Sequence, residues 1–144
     1  MKIFISTLLS LCLLSGLMAQ NLRQVDTRLL TRFSEAQIQQ WEQNNPNRID
    51  LFEFELDRGY DIQLMPEEKI QEIPFLYYLD YETKSQGEKV QSVNEDDFNL
   101  YLYDYTRKLD RNNLYRIAGT NQVLVIYSNK KFVNMFNESR NYEK

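Results

Sequence analysis

Three tyrosines, Tyr101, Tyr103 and Tyr105, recur at every second position late in the chain, with Arg107 two residues further on and Arg116 beyond it. If this stretch is extended, the phenols share one face and form a stripe with guanidinium groups at its margin. A stripe of that kind is binding chemistry. Tyr and Arg each offer a large contact area with a polar tip, and aromatic faces also suit carbohydrate rings. Placed under a helix, the same residues would instead be core, each hydroxyl reaching the edge. Both readings stand on the residues alone, with Tyr115 or Tyr127 as possible neighbours of the stripe.

Catalytic chemistry is narrowed by what is missing. The chain has no histidine and one cysteine, Cys12. That removes Cys–His pairs, Ser–His–Asp triads and zinc sites built from nitrogen or sulfur ligands. A hydrolase would have to use carboxylates, and Asp80, Asp96, Asp97 and Asp104 all neighbour aromatics. A glycosidase-type pair needs two carboxyls roughly 5 to 10 Å apart across a cleft. Asp104 with Glu53 or Glu55 is the pairing a sheet could bring together, although solvated strand-face charge is the simpler account. Asn94-Glu95-Asp96-Asp97 has oxygen ligands for calcium, but it lacks the alternating acids and central glycine of an EF-hand and reads better as a cap or turn. The four glycines lie far apart, so neither a phosphate loop nor a dinucleotide fingerprint is present. No catalytic residue, metal ligand or cofactor is assigned.

The chain opens with Lys2, an apolar segment broken by Ser6, Thr7, Ser10 and Ser15, and a small residue at Ala19. That is the layout of a secretory signal over residues 1–19, leaving a single domain over residues 20–144. The apolar runs are too short for a permanent membrane span of about 20 residues. Loss of Lys2 moves the formal charge from −4 to about −5. An acidic remainder argues against nucleic acid, whose phosphates demand a basic face, and against an electrostatic hold on anionic lipid. With Cys12 in the leader, the exported domain has no disulfide, and its stability must come from packing of its Phe, Tyr and Trp41. The leader and the Asn- and Tyr-rich remainder are similar in style to small exported proteins of Gram-negative bacteria; no motif names a family.

The element that must position everything else is Leu114–Tyr127. Val123-Leu124-Val125-Ile126-Tyr127 is the most β-prone run in the chain and reads as a strand buried on both faces. Gly119-Thr120-Asn121 supplies the turn, and Tyr115-Arg116-Ile117-Ala118 pairs back as a hairpin. Ser34 with Gln37 has the capping-box form ahead of Ile38 and Trp41, and Asn44-Asn45-Pro46 ends that helix. Phe52, Phe54 and Leu56 alternate with acids, then Gly59 and Tyr60, Ile62 and Leu64 follow, which predicts a second hairpin. The same region, with Ile49, Phe52 and Leu56, also fits a helical period.

Pro66-Glu67-Glu68 starts a short helix, Phe75 to Tyr81 is an aromatic strand, and Glu82 to Gln91 is a polar, mobile loop. Phe98 to Tyr105 is read as a strand, with a capped helix from Asn94 as the alternative. Ser128-Asn129 caps a last helix with Phe132, Val133 and Phe136 inward. The expected fold is α+β: one mostly antiparallel sheet of five to six strands with an N-terminal and a C-terminal helix packed on it. The expected role is an exported, non-enzymatic module binding protein or glycan of the cell envelope through the tyrosine face. The alternative is a small carboxylate-dependent hydrolase of envelope polysaccharide.

Overall fold

Five consecutive residues with no charge among them can be buried on both sides of a sheet, and strand β6, Gln122–Ile126, is the element that achieves this. In the computed structural model, which describes residues 23–141, Leu124 and Ile126 lie in the main core. Val123 and Val125 point the other way, into a smaller cluster with Ile70. The expected leader, residues 1–19, lies outside the described residues.

Strand β5, Asn113–Arg116, pairs antiparallel with β6, setting Leu114 opposite Val125 and Tyr115 opposite Leu124. The turn between them uses Gly119 at φ 71°, a left-handed conformation that side chains disfavour. Strand β1, Tyr60–Leu64, pairs on the other side of β6, with Ile62 opposite Leu124. The first sheet therefore runs β1-β6-β5.

A second sheet runs β3-β2-β4, from β2 (Tyr77–Asp80), β3 (Ser85–Lys89) and β4 (Tyr103–Asp104). The polar segment expected as a loop is thus partly a strand. Its turn is built by Asp80, whose Oδ1 accepts from the amides of Glu82 and Thr83, with Lys84 at φ 53°.

The expected single sheet is corrected to two three-stranded ones. They meet along Pro74–Leu76, which lies between the ends of β5 and β3. The Arg116 amide donates to the Pro74 carbonyl, the Leu76 amide to Arg116, and the Val90 amide to Leu76. Pro74 has no N–H to extend the ladder, so the join is limited to one isolated parallel bridge, Phe75 to Arg116, and a hydrogen bond from the Ala118 amide to the Val90 carbonyl.

The hairpin expected across Phe52 to Leu64 is also corrected. Pro46 suits the first helical position, and helix α2, Pro46–Arg58, runs to Gly59. It buries Ile49 and Leu56, so the helical period of its aliphatic residues wins over the alternation of its acids. The acids find partners on that helix: Asp57 pairs with Arg28, and Glu53 pairs with Arg23 while accepting from the Asp26 amide at 2.9 Å. At Gly59 a Cβ would sit 2.6 Å from the Glu55 carbonyl and 2.9 Å from an Arg107 nitrogen, so only glycine fits.

Helix α1, Glu35–Asn44, carries the Ser34–Gln37 capping box and stops at Asn45. It packs against α2 through Phe33, Trp41 and Phe52, whose rings lie 4.6 to 5.4 Å apart, rather than on a sheet. Leu29, ahead of it, belongs to a separate 3-10 turn, Thr27–Thr31, and is fully buried.

A short helix α3, Glu67–Ile70, covers the Val123–Val125 face. Helix α4, Asn129–Asn141, is capped by Ser128, whose Oγ accepts from the Lys131 amide. It rests on α2 by Phe132 and Phe136 against Phe54, while Val133, expected inward, is exposed. Among the described residues no helix is long and apolar enough to cross a membrane.

Candidate functional site

The segment carrying the tyrosines is not the extended stripe its alternation predicts. Asn99 breaks it: its Oδ1 accepts from the Tyr101 amide at 3.0 Å, and its amide nitrogen donates to Thr31 Oγ1 at 2.8 Å. The chain folds into a 3-10 turn over Leu100–Leu102 and forms strand only at β4, Tyr103–Asp104. The turn lets Tyr101 and Tyr105 converge on α2 while Tyr103 packs between other rings.

Tyr101, only 1 % exposed, reaches α2 and donates its hydroxyl to Glu55 Oε2 at 3.0 Å. Tyr103, also buried, stacks between Tyr78 and Phe98 at 5.4 and 5.2 Å. Tyr105 returns to Glu55 and donates to Oε1 at 3.2 Å. Arg107 completes the group: Nη2 donates to Glu55 Oε1 at 2.9 Å, and Nη1 to the carbonyls of Gly59 and Tyr127 at 3.2 and 2.7 Å. The guanidinium lies over Phe132, 4.5 Å from the ring centre. Glu55 and Arg107 are each 12 % exposed at the side chain, so this is a largely desolvated ion pair with phenols filling its remaining positions.

Burial pushes the Tyr101 phenol well above the usual range, and the Glu55 charge pushes it further. Tyr105 is raised for the same two reasons. Tyr103 is pushed up to about 12 by burial and by Tyr78 and Tyr60. All three phenols stay protonated near neutral pH, so those of Tyr101 and Tyr105 act as donors to the carboxylate.

Above this floor opens a cleft of about 410 Å³ lined by Arg32, Phe52, Tyr81, Asp104 and Phe132 together with Tyr101, Tyr103, Tyr105, Glu55 and Arg107. Four of the five residues singled out from the sequence thus line one cavity. Arg116 does not; it stands at the seam between the sheets, its guanidinium over Phe75. Asp104 and Glu55 share the cleft, whereas Glu53 is turned away into its pair with Arg23.

Arg32 and Tyr81 carry no signal in the sequence beyond residue type. Their place follows from the turn that swings Arg32 over the Tyr101 ring, 5.0 Å from its centre. Tyr81 is fixed by donating its hydroxyl to the Tyr101 carbonyl, which leaves its ring 40 % exposed. Among the described residues neither Arg32 nor Asp104 has an ion-pair partner.

A larger cavity, about 780 Å³, lies between the Arg23–Leu30 segment and α1. Its wall mixes aliphatic and amide side chains with the carboxylates of Asp26, Glu35 and Glu42 and has no aromatic ring, and its cation, Arg23, is already held by Asp50 and Glu53. Its residues offer a ligand less than the cleft does. No group of three or more metal-ligating side chains is found among the described residues. Compared with protein families, with curated proteins and with solved structures, the chain matches none of them.

Proposed function

We propose that this chain is a non-catalytic binding domain that takes a glycan segment into the Arg32–Tyr81–Asp104 cleft. The observation that carries the reading is how the polar groups divide. On the floor, Glu55, Tyr101, Tyr105 and Arg107 satisfy one another. At the rim the Arg32 guanidinium and the Asp104 carboxylate make no ion pair among the described residues, and the Tyr81 ring is partly exposed. A sugar presents hydroxyls that donate to a carboxylate and accept from a guanidinium, and an apolar ring face that stacks on tyrosine. Tyr81, whose hydroxyl is held by the Tyr101 carbonyl, loses little freedom on binding. The signal layout of residues 1–19 supports export, which would put the domain among envelope polysaccharides.

Retention on immobilised polysaccharides, followed by titration calorimetry on the ones retained, tests the reading. Tyr81→Ala, Arg32→Ala and Asp104→Asn should each weaken binding by about tenfold, the equivalent of roughly 1.4 kcal/mol. Their melting temperatures should stay near the parent's. Failure of every polysaccharide to bind, or binding indifferent to all three changes, would remove the proposal.

A carboxylate hydrolase has one observation in its favour, that Glu55 and Asp104 line the same cleft. Against it, both Glu55 oxygens are already occupied by hydrogen-bond donors of the floor, Tyr101, Tyr105 and Arg107. Release of reducing ends by the parent, lost in Asp104→Asn, would favour the enzyme over the binder.

A further inference from the structure

The cavity of about 780 Å³ between the Arg23–Leu30 segment and α1 lacks the ring that a sugar stacks on, and its polar groups are of another kind. Its floor is apolar: Ile49 is fully buried, Ile38 nearly so, and Val25 is half-buried against the core. Leu30 lines it too and stays 46 % exposed. The volume falls within the range of small-molecule sites, roughly 300 to 1,000 Å³.

One side of the cavity is the face of α1 on which Glu35, Gln39, Glu42 and Gln43 follow at helical spacing. The side-chain hydrogen bonds of this helix are those of Gln37 in the capping box and of Asn44 to the Gln40 carbonyl. The four groups on the cavity face therefore keep their acceptors open among the described residues, and neither Glu35 nor Glu42 makes an ion pair there. The other charges of the wall are already paired: Arg28 holds Asp26, while Asp50 and Glu53 hold Arg23. What stays uncompensated is all negative, and Glu42 is half-buried, where water screens it incompletely. From Glu35 to Glu42 the helix rises by roughly 10 Å.

We propose that this cavity binds a linear aliphatic polyamine, its terminal ammonium groups at Glu35 and Glu42 and its methylene chain over Ile38, Ile49 and Leu30. Charge complementarity names the class. Each ammonium donates to a carboxylate in a charge-assisted hydrogen bond, and an inner amine can donate to the Gln39 amide oxygen between them. Without an aromatic ring the wall has no cage for a quaternary ammonium, so N–H donors are required. A polypeptide fits less well, because its backbone amides would meet the apolar floor unpartnered. On a chain of net charge −4 the long-range field draws cations in. The cavity shares no lining residue with the cleft, and this inference does not rest on the glycan reading.

The test is titration calorimetry of the full chain with spermidine and with α,ω-diaminoalkanes of increasing length, at constant ionic strength. One saturable site is expected, with a dissociation constant of about 0.1 mM and an affinity that peaks where the ammonium groups lie roughly 10 Å apart. Glu42→Gln keeps side-chain size and helix propensity and should weaken spermidine about tenfold. Glu35→Gln, at a more exposed position, should weaken it about threefold. Glu67→Gln, an exposed acid on α3, should change nothing. Equal binding of a permethylated diammonium, or equal losses in Glu67→Gln and Glu42→Gln, would mean a diffuse counterion cloud and overturn the site. An affinity indifferent to chain length would overturn it as well. Tighter binding by a lysine-rich peptide of the same charge than by spermidine would overturn it in favour of a protein partner.

Discussion

Strand β6 and the Tyr101–Arg107 segment sit on either side of the same core but are held by different physics. Leu124 and Ile126 are fully buried and make no side-chain hydrogen bond, so their stabilisation scales with apolar area removed from water. Tyr101, equally buried, brings a hydroxyl inside, and that hydroxyl is placed against Glu55. Area is indifferent to direction, and a phenol–carboxylate–guanidinium group is not. The strand contributes apolar burial, while the tyrosine segment contributes the fixed geometry of the cleft floor.

Four changes would break or sharpen that contrast. Glu55→Ala leaves Arg107 charged, largely desolvated and without its carboxylate, and should cost about 3–5 kcal/mol in urea unfolding. Leu124→Ala should cost about 2–5 kcal/mol through lost transfer and a cavity, and its effect should not depend on pH. A raised phenol behaves differently. Its stabilisation is complete below the unfolded pKa near 10 and is lost as pH rises through the folded value, about 12 for Tyr103. The free energy of denaturant unfolding should therefore fall between pH 10 and 12 by roughly 1.4 kcal/mol per pH unit for that phenol, and Tyr103→Phe should abolish its share. The smallest effect is expected at Ser34→Ala, about 1 kcal/mol, because the cap it removes is at an exposed helix start. If Glu55→Ala proved as mild as Ser34→Ala, the polar group would be an ornament on a core that needs only area.

What could be read in the residues divides along the same line. The β5–β6 hairpin, its Gly119 turn, the Ser34 capping box and the Ser128 cap were all legible, because each is decided by neighbours within a few positions. The Phe98–Tyr105 run was misread as a strand because alternation cannot report Asn99 bonding to Thr31, 68 residues away. Helix α2 was misread for a related reason. Acids at every second position imitate a wet strand face, and only Arg23, Arg28 and Arg107, all distant in the chain, explain them on a helix. The tyrosines and Arg107 were visible as a group, but Glu55 as their shared acceptor was not, since it lies 46 residues before Tyr101. Arg32 and Tyr81 had no pattern to betray them.

One consequence follows from Arg107. Its two nitrogens tie the carboxylate of Glu55, the carbonyl that ends α2 at Gly59 and the carbonyl that follows β6 at Tyr127. Two stretches far apart in the chain's order, the end of α2 and the end of β6, are buckled by one side chain. The floor of the cleft therefore has no soft mode of its own. Its amides should exchange with solvent only when the strand beneath them does, in a single cooperative event.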